Sequence, residues 1–295
     1  MAVFTIAGLT LREAVRRKTL VGAGLLGMLV LLLSCVLYFI RLRLNYNVSI
    51  GRIPAWRAEG VIYPSAISVV TLLCLAAIKS LSSLFALLLA GGVISSEIER
   101  GLLSTILPKP IPRWQILLGK WIGIQVVLIS SVLVWTVLAW ASLSFQTHSD
   151  RTPMLKAGAI ATLFPVIFGT LTLTFSTFAQ RLFGTSLAIA LSALAWADGI
   201  LSLLSKFYDV DILQKIARVS GFLVPQGYVS WWVEEALGGI LTEMGPFGRI
   251  GSSPRLLEQT THSLPQIERA EGVYVAVYIL ATFLLGVVIF QKRDV

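Results

Sequence analysis

Glu97 and Glu99 are followed at once by Arg100, two negative charges and a positive one within four residues, and Lys109, Arg113 and Lys120 follow among and after prolines at 108, 110 and 112. Charges spaced this way suit docking rather than bond-making, because complementary charge fixes a partner's register more than its affinity. Two other groupings could in principle do covalent chemistry. Glu234 and Glu235 form an adjacent acidic pair, and Gly184 to Ala188 reads GTSLA, a near miss to a serine-nucleophile turn. No histidine lies in a span to work with the acidic pair, and the serine turn lacks a general base, since the two histidines, His148 and His262, fall in polar connections far apart. Cys35 and Cys74 lie inside apolar runs, so neither a disulfide framework nor a His/Cys metal cluster is expected. Gly119-Lys120 lacks the upstream glycine and the following Ser/Thr of a phosphate-binding loop. Any nucleotide chemistry therefore belongs to another polypeptide, and no cofactor is expected in this chain.

The elements that carry these residues follow from composition. Of 295 residues 56% are hydrophobic and 13% charged, against roughly 25% charged in a soluble domain. Mean hydropathy is +0.83. A water-soluble fold of this length could not hide so much apolar surface, so the class is a polytopic membrane protein. The excess of 24 Lys+Arg over 15 Asp+Glu reports orientation and membrane lipid. No basic run with interleaved aromatics suggests nucleic acid.

Six apolar runs reach the roughly 20 residues that cross hydrocarbon: 19–40, 66–94, 121–145, 157–179, 183–204 and 272–290. Backbone groups in lipid need internal partners and no barrel pattern is present, so the spans are helices. The fold class is all-α: an N-terminal amphipathic interfacial helix over 1–18, six transmembrane helices, and short re-entrant or interfacial helices before the last span. In the first helix Val3, Phe4, Ala7, Leu11, Ala14 and Val15 share one side, and Arg12, Glu13, Arg16 and Arg17 the other. A disordered basic leader is the alternative. No small-residue cleavage site makes it a signal peptide.

Both termini are placed in the cytoplasm, with the chain multi-pass in the cell membrane. Eleven Lys/Arg then fall in short inner segments against six in short outer loops, although four arginines, Arg41, Arg43, Arg52 and Arg57, crowd the first outer loop. Residues 207–270 form a long extracytoplasmic segment. Its apolar stretch 221–241 is broken by Pro225 and carries Trp231-Trp232 before Glu234-Glu235. It is too poor a span to cross and reads as re-entrant or interfacial.

The charged island is the cytoplasmic segment 95–113. Ser96 and Glu99 fit a capping box, so a short helix starts near Glu97, or the preceding span runs on to this point. Gly101 loosens that helix, Pro108 stops it, and residues 109–112 are extended. Gly119 and Lys120 mark re-entry into the membrane.

This stretch resembles the cytoplasmic coupling segment of ABC-transporter permeases of the type-two export class, the ABC-2 family. Glu97, Glu99 and Gly101 match the first half of that pattern, and Pro110, Arg113, Gly119 and Lys120 the second. Leu102 and Pro112 stand where the family usually has Thr and often Ser. The ending FQKRDV and the layout of helices are similar too. Within the family the closest resemblance is to permeases of multicopper-enzyme maturation, which is no evidence for copper here. The resemblance implies a dimer of permeases, homomeric or with a related chain, served by two ABC ATPase subunits that bind ATP and Mg. Glu97, Glu99, Arg100, Gly101, Pro108, Pro110 and Arg113 would seat the coupling helix on the ATPase, and the first helix, with Arg12, Arg16 and Arg17, would flank it.

Lys79 and Asp198 are ionisable residues within spans and are functional candidates by default. By helix rise they lie about 20 Å and about 9 Å from the outer ends of their spans, too far apart for a comfortable direct pair. Each is expected to face the interior separately, Lys79 with Ser80, Ser82 and Ser83 along a substrate path. Rival readings are an intramembrane enzyme, an ion-coupled secondary transporter, for which Asp198 alone is thin support, and a non-transporting membrane assembly factor.

Overall fold

The computed structural model describes residues 2–16, 19–58, 62–91, 93–95, 97, 112–147, 152–178, 186–193, 224–237 and 268–292. Their regular structure is helical, with no strand among them. The helices are α1 (Ala2–Arg16), α2 (Thr19–Ser49), α3 (Ala55–Arg57), α4 (Tyr63–Ala90), α5 (Arg113–Thr147), α6 (Thr152–Ala161), α7 (Leu163–Phe178), α8 (186–193), α9 (Gln226–Ala236) and α10 (Glu268–Lys292). Five of the described stretches are long and apolar enough to cross a membrane: Val21–Ser49, Ala66–Ala90, Arg113–Gln146, Thr152–Phe178 and Ala270–Lys292. They answer to five of the six expected spans. Of the other, 183–204, only α8 is described.

Boundaries differ from expectation where polar residues prolong a helix. α2 continues nine residues past Ile40 to Ser49, through two arginines and two asparagines. α5 begins at Arg113, eight residues before Trp121. Pro112 precedes it and accepts the first helical hydrogen bond, from the Gln115 N–H at 2.9 Å. The span expected at 157–179 starts at Thr152 and is divided at Thr162. Pro165 is the cause. It has no N–H for the carbonyl of Ala161, and its ring crowds that carbonyl. Thr162 closes the break by donating its N–H and its hydroxyl to the Ala159 carbonyl, at 3.2 and 2.6 Å.

α5 is the central helix and packs against α1, α2, α4, α6, α7 and α10. Paired contacts give the sense of each neighbour. α2 runs with it: the Trp135 indole donates to the Ala23 carbonyl at 3.0 Å, and Arg41 donates to the Gln146 carbonyl at 2.8 Å. α4 runs against it, with Tyr63 near Gln146 and Phe85 beside Trp135. α6 and α7 also run against it: Gly158 faces Thr136, and Thr170 accepts from the Trp121 indole at 2.8 Å. So does α10, with Phe283 against Trp121 and the Phe290 carbonyl near Arg113.

The interior is apolar, with Phe164, Phe168, Ile78, Leu87, Leu117, Leu128 and Leu143 fully buried. Small and hydroxylated residues let the helices approach. Gly27 underlies the Trp135 ring. Thr170, Thr172 and Thr174 are buried and return their hydroxyls to carbonyls four residues back, which satisfies them in oil. Thr174 also reaches across to the Thr282 carbonyl at 2.9 Å, beside Gly286. Such contacts hold helices together where burial offers no net driving force against lipid.

Candidate functional site

Two sets of polar contacts stand out, one at the end of the bundle where α5 begins and one near its middle. At the end, the Lys120 ammonium forms an ion pair with the Glu97 carboxylate. The Lys120 side chain is 8% exposed and that of Glu97 20%. The pair ties the start of the charged island, which follows α4, to the first turns of α5. Glu97 therefore turns toward the bundle. A pair this buried gives little net stability over an apolar substitute, yet removing one partner leaves a stranded charge.

One residue before Lys120, Gly119 faces α1. A Cβ there would lie 2.8 Å from the Ile6 Cβ and 2.9 Å from the Val3 carbonyl oxygen. Gly123 repeats this one turn on, 2.8 Å from the Thr10 Cβ and 2.9 Å from the Ala7 carbonyl oxygen. Spacing of four on both helices sets α1 and α5 in the same sense, backbone against backbone, as small residues at i and i+4 permit. α1 thus packs along α5, a specific helix contact that its interfacial reading did not anticipate. Phe4 and Leu9 remain exposed, at 78% and 59%, on the surface that α5 leaves uncovered. Arg12 and Glu13 are also exposed.

Arg113 completes this end. Its guanidinium donates to the carbonyls of Phe290 and Gln291 at 3.4 and 3.5 Å, so it sits at the C-terminus of α10, where a cation complements the helix dipole. The start of α5 therefore joins the island, the N-terminal helix and the end of the last span.

Near the middle, Lys79 donates to Ser230 Oγ at 2.7 Å and lies 5.2 Å from the centre of the Phe164 ring. Lys79 comes 16 residues after Tyr63 and 18 before Glu97, which mark opposite ends of the bundle. Ser230 on α9 therefore reaches about half depth. α9 follows Pro225 and packs on α6, burying Val229, Trp231 and Val233. Tyr228 stacks edge-on with Tyr274 of α10. An open groove of about 420 Å³ lies between α6 and α9, lined by Ile160, Trp232, Glu235 and Ala236. The Ser82 and Ser83 hydroxyls both bond the Lys79 carbonyl, at 3.0 and 2.8 Å.

Of the residues picked from the sequence, Glu97, Arg113 and Lys79 are placed with partners. Arg16 belongs to α1. Glu99, Arg100, Gly101, Pro108, Pro110, Arg17 and Asp198 lie outside the described residues, as do His148 and His262. Among the described residues no group of three His, Cys, Asp or Glu could hold a metal ion. Gly123 and Ser230 escaped the sequence reading. The spacing Gly119-x-x-x-Gly123 was the available signal for the first. Nothing local marks Ser230, whose partner is 151 residues away.

Five apolar helices long enough to cross a bilayer, packed into one bundle, define a multi-pass membrane protein. The ABC-2 family transporter model matches residues 4–295, and the chain belongs to that family. Its members are membrane components that work with ABC ATPase subunits. The match does not single out the multicopper-maturation permeases. No curated protein matches the chain in sequence.

Proposed function

We propose that the chain is the permease subunit of an ATP-driven exporter in the cell membrane, working as a pair of permeases with two separate ATPase subunits. The observation that supports this reading most directly is the convergence at the start of α5. A partner pushing on the island there acts at once on α4 and α5 through Glu97–Lys120, on α1 through Gly119 and Gly123, and on α10 through Arg113. Glu97 is then the inward anchor of the coupling helix, and Glu99 and Arg100 face the ATPase. ATP and Mg are held by that subunit, and both termini are cytoplasmic.

The sense of the helices supports a sixth span. α7 and α10 both run against α5, so the chain leaves α7 at the Lys120 end and enters α10 from the other end. Residues 179–267 then cross an odd number of times, and 183–204 is the run suited to it. α9 is the re-entrant helix bounding the exit, with Lys79 and Asp198 on the substrate path.

The test is co-purification of the tagged chain from native membranes in mild detergent, with Glu99→Lys/Arg100→Glu beside it. The native chain is expected to bring down a Walker-motif ATPase and the reversed chain to lose it while remaining monodisperse. A well-folded native chain that brings down no ATPase refutes the reading.

A further inference from the structure

The end of the bundle opposite Lys120 carries a second feature that coupling does not use. Arg41 marks the rim there: it donates to the Gln146 carbonyl at the end of α5, and its guanidinium lies 5.4 Å from the centre of the Tyr63 ring at the start of α4. The uncharged run of α2 stops at Ile40, immediately below. Yet α2 continues for two more turns, and its exposed apolar stripe continues with it through Leu42, Tyr46 and Ile50. By helix rise Tyr46 stands about 7 Å above Arg41, within the roughly 5–8 Å headgroup layer that covers each side of the hydrocarbon.

The chain then folds back. Gly51 takes φ +71°, a conformation that side chains disfavour, and so reverses the direction. The N–H groups of Arg52 and Ile53 both bond the Asn47 carbonyl, at 2.9 and 3.3 Å, and the Asn47 side chain donates to the Arg43 carbonyl at 2.9 Å. Asn47 thus holds the Arg43 and Arg52 backbones against the same last turns of α2. Beyond the turn Trp56 is 72% exposed. Arginines beside an exposed Tyr and Trp at the rim of a bundle have the chemistry of the membrane interface: planar donors for phosphate, and aromatic rings that rest at headgroup depth.

We propose that this ledge holds the headgroup of an anionic phospholipid, with its phosphate at Arg43 and Arg52 and its upper acyl chain against Tyr46 and Trp56. The site accounts for arginines gathered at an end where the charge balance of the short loops disfavours them. It depends on neither transport nor the ATPase, and it holds whichever leaflet this rim faces. Two arginines near a charged bilayer surface are together worth roughly a thirtyfold preference for anionic over zwitterionic lipid.

The test uses the full chain in nanodiscs containing a photoactivatable phosphatidylglycerol or phosphatidylcholine probe, with cross-links mapped by peptide mass spectrometry. Residues 42–57 are expected to cross-link to the glycerol probe at least tenfold more than to the choline probe. Arg43→Gln/Arg52→Gln should abolish that preference while leaving size-exclusion behaviour and cross-links near Arg12 unchanged, and Trp56→Ala should lower both probes together. Equal labelling by the two probes overturns the proposal, as does a preference that survives the double variant. Displacement by millimolar inorganic phosphate also overturns it, making the ledge a site for soluble anions, and cross-linking to a protein instead of lipid would assign it to a protein partner.

Discussion

The Lys79 ammonium donates to the Ser230 hydroxyl at 2.7 Å, joining α4 to α9 near half depth of the bundle. A charge at this depth costs roughly 2.5–3.5 kcal/mol on insertion scales unless its surroundings answer it. Ser230→Ala removes that acceptor and should destabilise the protein by about 1–3 kcal/mol. Adding Lys79→Met should recover most of the loss, because an apolar chain needs no partner. Thermal unfolding in detergent of both single variants and the double measures the coupling, expected between about 0.5 and 3 kcal/mol. Additive losses would mean that the contact carries no energy.

The Glu97–Lys120 pair predicts a similar asymmetry at the other end. Lys120→Met strands a carboxylate that keeps a fifth of its surface exposed. The cost should fall at or below the roughly 3 kcal/mol lower bound for breaking a fully buried pair. Glu97→Lys/Lys120→Glu restores opposite charges at the same places and should unfold within a few degrees of the native chain. A swap as unstable as the single variant shows that geometry, not charge, sets the pair.

Gly123→Ile places a branched side chain where the Ala7 carbonyl oxygen already stands 2.9 Å from a Cβ. A backbone atom cannot step aside as a flexible side chain can, so α1 should lift from α5. Limited proteolysis should then cut within residues 2–16 at least tenfold faster, with the spans intact. Gly8→Ala is the control, because nothing lies within 4 Å of a Cβ there.

Arg113→Gln should act locally. Its two contacts to the end of α10 are long, and a cation at a helix C-terminus contributes only about 0.3–1 kcal/mol. Hydrogen exchange should quicken over residues 288–292 without a change in global unfolding temperature.

The sixth span proposed within 179–267 is checked by labelling. In a chain with Cys35 and Cys74 replaced by alanine, Arg181→Cys and His262→Cys should react with a membrane-impermeant maleimide from opposite faces. Reaction from one face removes the sixth span.

Five helices able to cross were readable in sequence because burial in oil leaves a run of apolar residues that needs no partner to be seen. The limits of each crossing were less so. Arg41 and Arg43 looked like the end of a span, but both are tolerated in a helix that outlasts the hydrocarbon. Pro165 was visible and its effect on Ala161 was predictable from proline stereochemistry, yet the apolar run around it hid the break. The island was legible as charge, and the direction in which Glu97 turns was not, since its partner Lys120 lies 23 residues on beyond three prolines. Ser230 could not be found in advance, because a serine near two tryptophans means nothing until folding sets a lysine from α4 beside it.

One consequence of the central helix concerns leverage. α5 has 35 residues, about 52 Å of unbroken rod by helix rise, and it touches six other helices along that length. A rod held at many points does not bend easily; it tilts. Pivoted at Lys120, about 39 Å from Gln146 by helix rise, a tilt of only about 5° would carry Gln146 roughly 3–3.5 Å sideways. Such a tilt would either carry the helices packed on α5 with it or break the contacts that Arg41 and Tyr63 make with Gln146 at the rim.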